Sequence, residues 1–135
     1  MTNNKIKDLL NMDHLKFLFS IFKTNKSEIR IVGGSIRDTL LERHTKDVDL
    51  ATPLEPIDII ELLESNNINY DDFAIQYGSI IAYPFERKVQ ITSLREDINQ
   101  IGRHTNVVYT TSWKKDAARR DFTFNAIYAD LNGNL

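Results

Sequence analysis

Lys46-Asp47-Val48-Asp49-Leu50-Ala51-Thr52 is the stretch on which the fold turns. Apolar Val48 and Leu50 alternate with acidic Asp47 and Asp49, the pattern of a β-strand with one buried face. The strand is expected over Lys46–Ala51, with Thr52 and Pro53 ending it. Residues at i and i+2 of a strand share a face, so Asp47 and Asp49 aim two carboxylates at one point. Such a pair repels itself unless a cation lies between its members. Mg²⁺ suits that place, since it binds through one or two carboxylates together with substrate phosphates. The plainer alternative is a solvent-facing alternation on an edge strand.

Upstream stands Val32-Gly33-Gly34-Ser35-Ile36-Arg37-Asp38. A strand over Glu28–Val32, rich in β-branched residues, is broken by Gly33-Gly34. A helix follows from Ser35, its N-cap, to about Glu42. Glycines let backbone amides approach a phosphate, and a helix N-terminus adds free N–H groups and a positive dipole end. Arg37 adds a fork of donors, and Asp38 can orient it. Read alone, the segment is equally a plain turn. It is neither a Walker loop nor a dinucleotide fingerprint, because the further glycines and the lysine are missing.

Downstream, Asp116-Ala117-Ala118-Arg119-Arg120-Asp121-Phe122-Thr123-Phe124-Asn125-Ala126 sets two arginines before an acid. Arg119 and Arg120 suit a triphosphate, with Asp121 holding one guanidinium. They equally suit a solvated helix end, where cations complement the dipole. Phe122, Phe124, Ala126 and Ile127 are assigned to the core.

The remaining elements follow from periodicity. Leu15, Leu18, Phe19 and Phe22 form one face of a helix, with Asp13 as its expected cap. Pro56 opens a helix to about Ser65, with Ile57, Ile60, Leu63 and also Ile59 on its apolar side. Phe73–Tyr83 and Lys88–Leu94 read as two strands of an antiparallel hairpin. Arg95–Asn106 is polar and weakly patterned and reads as a loop. Thr111 or Ser112 caps a helix to about Arg120. Tyr128–Leu131 is a strand, and Asn132-Gly133 is a hairpin turn that expects a returning strand. The sum is an α+β domain with a mixed or antiparallel sheet and helices mainly on one side.

Composition narrows the function classes. A chain of 135 residues suits a single domain, and 41% hydrophobic with 27% charged residues is ordinary globular usage, which excludes global disorder. The net charge of −2 excludes a uniformly basic nucleic-acid-coating protein. It leaves room for a local positive surface from Arg103, His104, Lys114, Lys115, Arg119 and Arg120. The absence of cysteine excludes a disulfide scaffold, a zinc–thiolate site and a cysteine nucleophile. No apolar run approaches the ~18 residues of a membrane span, and no signal peptide pattern opens the chain. A cytoplasmic protein without membrane contact is therefore expected.

Taken in order, Gly33-Gly34-Ser35-Ile36-Arg37-Asp38, Lys46-Asp47-Val48-Asp49-Leu50-Ala51-Thr52 and Arg119-Arg120-Asp121-Phe122-Thr123-Phe124-Asn125-Ala126 form a phosphoryl-transfer kit. The set resembles the head, or catalytic, domain of class II tRNA CCA-adding enzymes and bacterial poly(A) polymerases, within the polymerase-β-like nucleotidyltransferases. Tyr77-Gly78-Ser79 resembles the family's short strand motif between them, and the similarity covers residues 28–135. The resemblance implies transfer of a nucleoside monophosphate from CTP or ATP to the 3′-hydroxyl of tRNA, with release of pyrophosphate. It implies Asp47 and Asp49 as catalytic Mg²⁺ ligands. Gly33, Gly34, Arg37 and Arg120 are the implied nucleotide contacts, and Asp38, Arg119 and Asp121 the implied supports. A metal-activated hydroxyl needs no histidine base, and His14, His44 and His104 receive no role.

Two departures accompany the resemblance. Gln90 stands where family members often carry a glutamate, so a third carboxylate is not expected there. Residues 1–135 are expected to be a head domain alone, without the family's neck, body and tail. Base selection and tRNA holding would then be impaired or supplied by a separate chain. The alternatives are a poly(A) polymerase head and a non-catalytic head that binds nucleotide or a partner chain.

Overall fold

The computed structural model describes residues 12–32, 48–101, 104–118 and 128–129. Helix α1 (Asp13–Thr24) leads into strand β1 (Arg30–Val32). Strand β2 (Val48–Thr52) is followed by helix α2 (Pro56–Ser65) and then by strands β3 (Tyr70–Asp71), β4 (Ser79–Ala82) and β5 (Val89–Ser93). A hairpin of β6 (Arg95–Ile101) and β7 (His104–Tyr109), the short helix α3 (Trp113–Ala118) and strand β8 (Tyr128–Ala129) complete the order.

Six strands form one sheet in the order β3-β4-β5-β2-β1-β8, and β6 and β7 form a separate ribbon. Only β2 and β5 run parallel in the main sheet; its other pairs are antiparallel. The sheet is thus mixed, and the α+β expectation holds. One face carries Ile31, Val48, Leu50, Ile80, Ala82, Val89 and Ile91, which pack against Leu15, Leu18, Phe19 and Phe22 of α1 and Ile59 and Leu63 of α2. The opposite face has a small second core of Val32, Ala51 and Leu94, covered by Trp113 of α3. Among the described residues, helices α1 and α2 therefore share one side and α3 lies on the other.

Several local expectations need correction. Asp13 is not a side-chain cap: Met12 occupies the cap position, and Asp13 lies in the first turn, where its charge still suits the dipole. On α2 the buried residues are Pro56, Ile59 and Leu63, while Ile57 is exposed, because the 3.6-residue period points 56, 59 and 63 at the sheet. The stretch from Phe73 to Tyr83 is not one strand. A 3₁₀ turn over Ile75–Tyr77 ends at Gly78, whose φ of +80° breaks the extended chain before β4 starts. A second turn over Pro84–Glu86 joins β4 to β5, and the expected hairpin between them is present.

The segment 95–106 is mostly ribbon rather than loop. Arg95 pairs with Tyr109, Glu96 with Val108 and Ile101 with His104, with an irregularity between Ile98 and Ile101. A two-stranded ribbon needs only one partner strand and no sheet face to cover, so polar residues without apolar alternation can form it. Ser112 is the cap of α3: its hydroxyl accepts the Lys115 N–H at 3.2 Å. The Gly33-Gly34 turn, the helix from Ser35, residues 46 and 47, the strand end beyond Ala129, Asn132-Gly133 and the proposed core residues Phe122, Phe124, Ala126 and Ile127 lie outside the described residues. Among the described residues, no helix is long and apolar enough to cross a membrane.

Candidate active site

Asp49 is the one proposed site residue among those described, and its surroundings follow from strand geometry. Its neighbours Val48 and Leu50 point into the main core, so Asp49 lies on the opposite face, half-buried. Strand β2 is central, flanked by β1 and β5, which excludes the edge-strand alternative. Across the parallel ladder Asp49 is level with Gln90. The Gln90 side-chain amide donates to the Ser79 hydroxyl at 3.4 Å, and Ser79 and Thr92 share a hydrogen bond at 3.1 Å. A row of neutral polar groups thus runs from the carboxylate towards β4.

The register also locates the other motifs. Arg30 pairs with Ala51 and Ile31 with Leu50, so the same register brings Val32 level with Asp49. Val32 is the residue before Gly33. On the other side of β1, Val32 pairs directly with Tyr128, and the segment Arg119–Ile127 feeds into that strand. The exit of β1, the entry of β2 and the entry of β8 are therefore adjacent at one end of three neighbouring strands. In sequence, the glycine turn follows Val32, Asp47 precedes Val48 and the arginine segment precedes Tyr128. Gly33, Gly34, Arg37, Asp38, Asp47, Arg119, Arg120 and Asp121 lie outside the described residues.

Helix α3 is fastened to the same face. Trp113 covers the second core, its indole N–H donates to a Glu28 carboxylate oxygen, and the Arg30 guanidinium lies 4.1 Å above its ring. Asp116 is fully buried and accepts the Arg95 backbone N–H at 3.1 Å. The Leu94 N–H in turn donates to the Thr52 carbonyl at the end of β2. Sequence reading gave Asp116 no role. The available signal was its place three residues after Trp113, which sets it on the same inward helix face.

Other expected features fare differently. Lys114 and Lys115 are exposed, and Lys115 lies 3.5 Å from Glu96, so one of the two cations has an acidic neighbour. His14 is buried on α1, where burial, reinforced by the Arg87 charge, lowers its pKa against the opposing effect of Asp13. It lines a cavity of about 600 Å³ with Met12, Asp13, Phe85 and Arg87. Among the described residues no group of three or more His, Cys, Asp or Glu could hold a metal ion.

Comparison with known proteins agrees with this geometry. A family model described as the poly A polymerase head domain matches residues 29–135. The mitochondrial CCA tRNA nucleotidyltransferase 1 of Danio rerio is 37% identical over 91% of the chain, and the CCA-adding enzyme of Lactobacillus johnsonii 34% identical over 80%. The chain spans 29% and 27% of the lengths of these two curated relatives. The crystal structure of the Bacillus stearothermophilus CCA-adding enzyme in complex with CTP superposes with a TM-score of 0.74 at 27% identity, covering 90% of this chain and 29% of that one. A tRNA nucleotidyltransferase complexed with a primer tRNA and an incoming ATP analog gives 0.64 at 27% identity, covering 87% and 33%. From its central Asp49 strand to the family model that spans most of its length, the chain belongs to the poly A polymerase head-domain family, that of the class II CCA-adding enzymes.

Proposed function

We propose that this chain is a nucleotidyltransferase head that transfers a nucleoside monophosphate from CTP or ATP to the 3′-hydroxyl of tRNA, as in CCA addition. The central strand of Asp49 carries this reading: its carboxylate lies on the polar face, and the β1 exit, the β2 entry and the β8 entry, next to which the three motifs stand in sequence, are neighbours in the sheet. The relatives that bind CTP, an ATP analog and tRNA support the substrate class.

Asp47 and Asp49 fit Mg²⁺ in their chemistry. Asp49 is a hard oxygen donor on the polar face, the i, i+2 spacing in sequence suits Asp47 as a second donor, and substrate phosphates would complete such a donor set. Bound there, Mg²⁺ would lower the pKa of the attacking hydroxyl and neutralise charge on the triphosphate. The protein's own part is positioning. Gly33 and Gly34 let backbone N–H groups close on the phosphates, Arg37 and Arg120 grip them, and Asp38, Arg119 and Asp121 hold the grip in place. Segments of the longer relatives beyond this head, or a separate chain, would select the base and hold the tRNA.

A poly(A) polymerase head is the second reading, favoured by the description of the matching family model. Both are tested by incubating the full chain with Mg²⁺, labelled CTP or ATP and tRNA lacking its 3′ end, beside an Asp47→Ala/Asp49→Ala variant. Incorporation of CTP by the wild type alone is expected. Incorporation of ATP only, in runs, favours the second reading. Mg²⁺-dependent nucleotide binding without incorporation makes this a non-catalytic head, and equal behaviour of the two proteins refutes the site.

A further inference from the structure

We propose that the outer surface of the α1–α2 layer is where two copies of this chain associate, α1 of each copy lying against α2 of the other. This surface shares no residue with the nucleotidyltransferase site proposed above. The two helices cover the sheet face opposite Asp49, and their outward residues differ in charge. Beyond Asp13 in its first turn, α1 exposes Lys16 and Lys23 and no acid. Helix α2 exposes Asp58, Glu61 and Glu64 and contains no lysine or arginine.

The charge of α2 is unfavourable within the chain. Asp58, Glu61 and Glu64 follow one another at i, i+3, so each repels the next across one turn. Glu64, in the last turn, also opposes the helix dipole, which favours cations there. It accepts a hydrogen bond from the Tyr70 hydroxyl. Among the described residues, however, none of the three acids and neither lysine enters an ion pair. The two sets have matching lengths: Lys16 to Lys23 spans ~10 Å of helix and Asp58 to Glu64 ~9 Å. A two-fold axis satisfies both at once, because whatever α1 meets on the partner's α2, the partner's α1 meets in return.

The same surface has an apolar centre. A groove of about 310 Å³ between the helices is lined by Phe17, Ile21 and Leu62. Phe85 stacks on Phe17 with ring centroids 5.2 Å apart, yet remains 61% exposed. Its φ of +50° lies in the left-handed region that bulky residues avoid, so the turn holds this ring at the surface against local preference. An exposed aromatic beside an apolar groove with a charged rim has the composition of an association surface.

Sedimentation velocity over a concentration series tests this on the full chain and three variants: Lys16→Glu/Lys23→Glu, Asp58→Lys/Glu61→Lys and Phe85→Asn. All five positions are exposed and Asn tolerates a positive φ, so each variant is expected to fold, which its melting temperature checks. The wild type is expected to form a dimer that loosens as salt is raised. Each charge-reversed pair sets like charges against each other and is expected to weaken the dimer about a hundredfold. Mixing the two reversed variants restores opposite charges at both contacts and is expected to recover a one-to-one dimer. Phe85→Asn, in the wild type or in both members of that mixture, is expected to weaken association about tenfold. A wild type that stays monomeric, reversed variants that dimerise like the wild type, or a mixture that gains nothing would overturn the proposal. So would a mixture indifferent to Phe85→Asn, since that is mere attraction between opposite net charges. Should a reversed pair fail to fold, the Phe85→Asn loss in the wild-type background decides alone.

Discussion

Replacing Gln90 by glutamate should produce two effects of opposite sign. Gln90 is level with Asp49 on the adjacent parallel strand. Neighbouring strands lie ~4.8 Å apart, so the new carboxylate would stand about 5 Å from that of Asp49. Two unit charges at that distance interact by ~0.8 kcal/mol in water and ~3.3 kcal/mol at an effective dielectric constant of 20. Asp49 is half-buried, on a polar face, so a value near the lower end, about 1 kcal/mol, applies. Without metal, Gln90→Glu should therefore destabilise the protein by about 1 kcal/mol, a fall of roughly 3–5 °C in Tm for a chain of this size. A doubly charged cation reverses the sign, because it attracts the added carboxylate about twice as strongly as Asp49 repels it. After the cost of dehydrating the ion, an affinity gain of about tenfold is expected for Mg²⁺ or Mn²⁺. Thermal melting with and without metal, together with calorimetric titration of Mn²⁺, reads both effects. An Asp49→Asn/Gln90→Glu variant supplies the control. A variant melting at or above the wild-type temperature without metal, or binding Mn²⁺ no more tightly, would refute the placement of Gln90 beside the carboxylate site.

Burial holds the His14 pKa below its usual value, so the unfolded chain binds more protons on acidification. The stability that neutral His14 contributes is full above pH ~6.5 and is lost as pH falls below it, so His14→Gln should flatten the decline in Tm between pH 7 and 5. Gly78 has a φ of +80°, and a Cβ there would stand 3.2 Å from Cε1 of Tyr109, so Gly78→Ala should cost about 1–2 kcal/mol in urea unfolding. On α2, Leu63→Ala should cost about 2–5 kcal/mol because Leu63 is fully buried, whereas Ile57→Ala should stay within about 0.5 kcal/mol. Equal costs at the two positions would mean that the wrong face of the helix packs on the sheet.

What was legible in the sequence followed from local rules. The boundaries of α2 come from Pro56 at its start and Asn66-Asn67 after its end, and those signals need no partner. The strand of Asp49 was readable because alternation between a core face and a polar face is written in its own residues. The β6–β7 ribbon was not, since each strand pairs with the other alone and neither must present an apolar face to the main core. The break at Gly78 was hidden because Phe73–Tyr83 is apolar enough for a strand, and only the positive φ divides it. At the site, residue types announced carboxylates and arginines, but the convergence of three strand ends depends on ladder register between distant segments. Asp116 was passed over for a similar reason: its partner, Arg95, lies in another element.

The parallel pairing of β2 with β5 has a consequence for how the protein is made. Parallel neighbours cannot be joined by a tight turn, so β2 waits for α2, β3 and β4 to be synthesised before β5 can close on it. On its other side β1 is available early, but β1 gains its own outer neighbour only when Tyr128 and Ala129 have been added. The strand of Asp49 thus gains both neighbours only after Ser93 has been added, and β1 beside it is among the last to gain both of its own on a ribosome-bound nascent chain. Such long-range closure makes for slow folding. Nucleotide binding should therefore appear during refolding only with the slowest structural phase, and never in a half-folded intermediate.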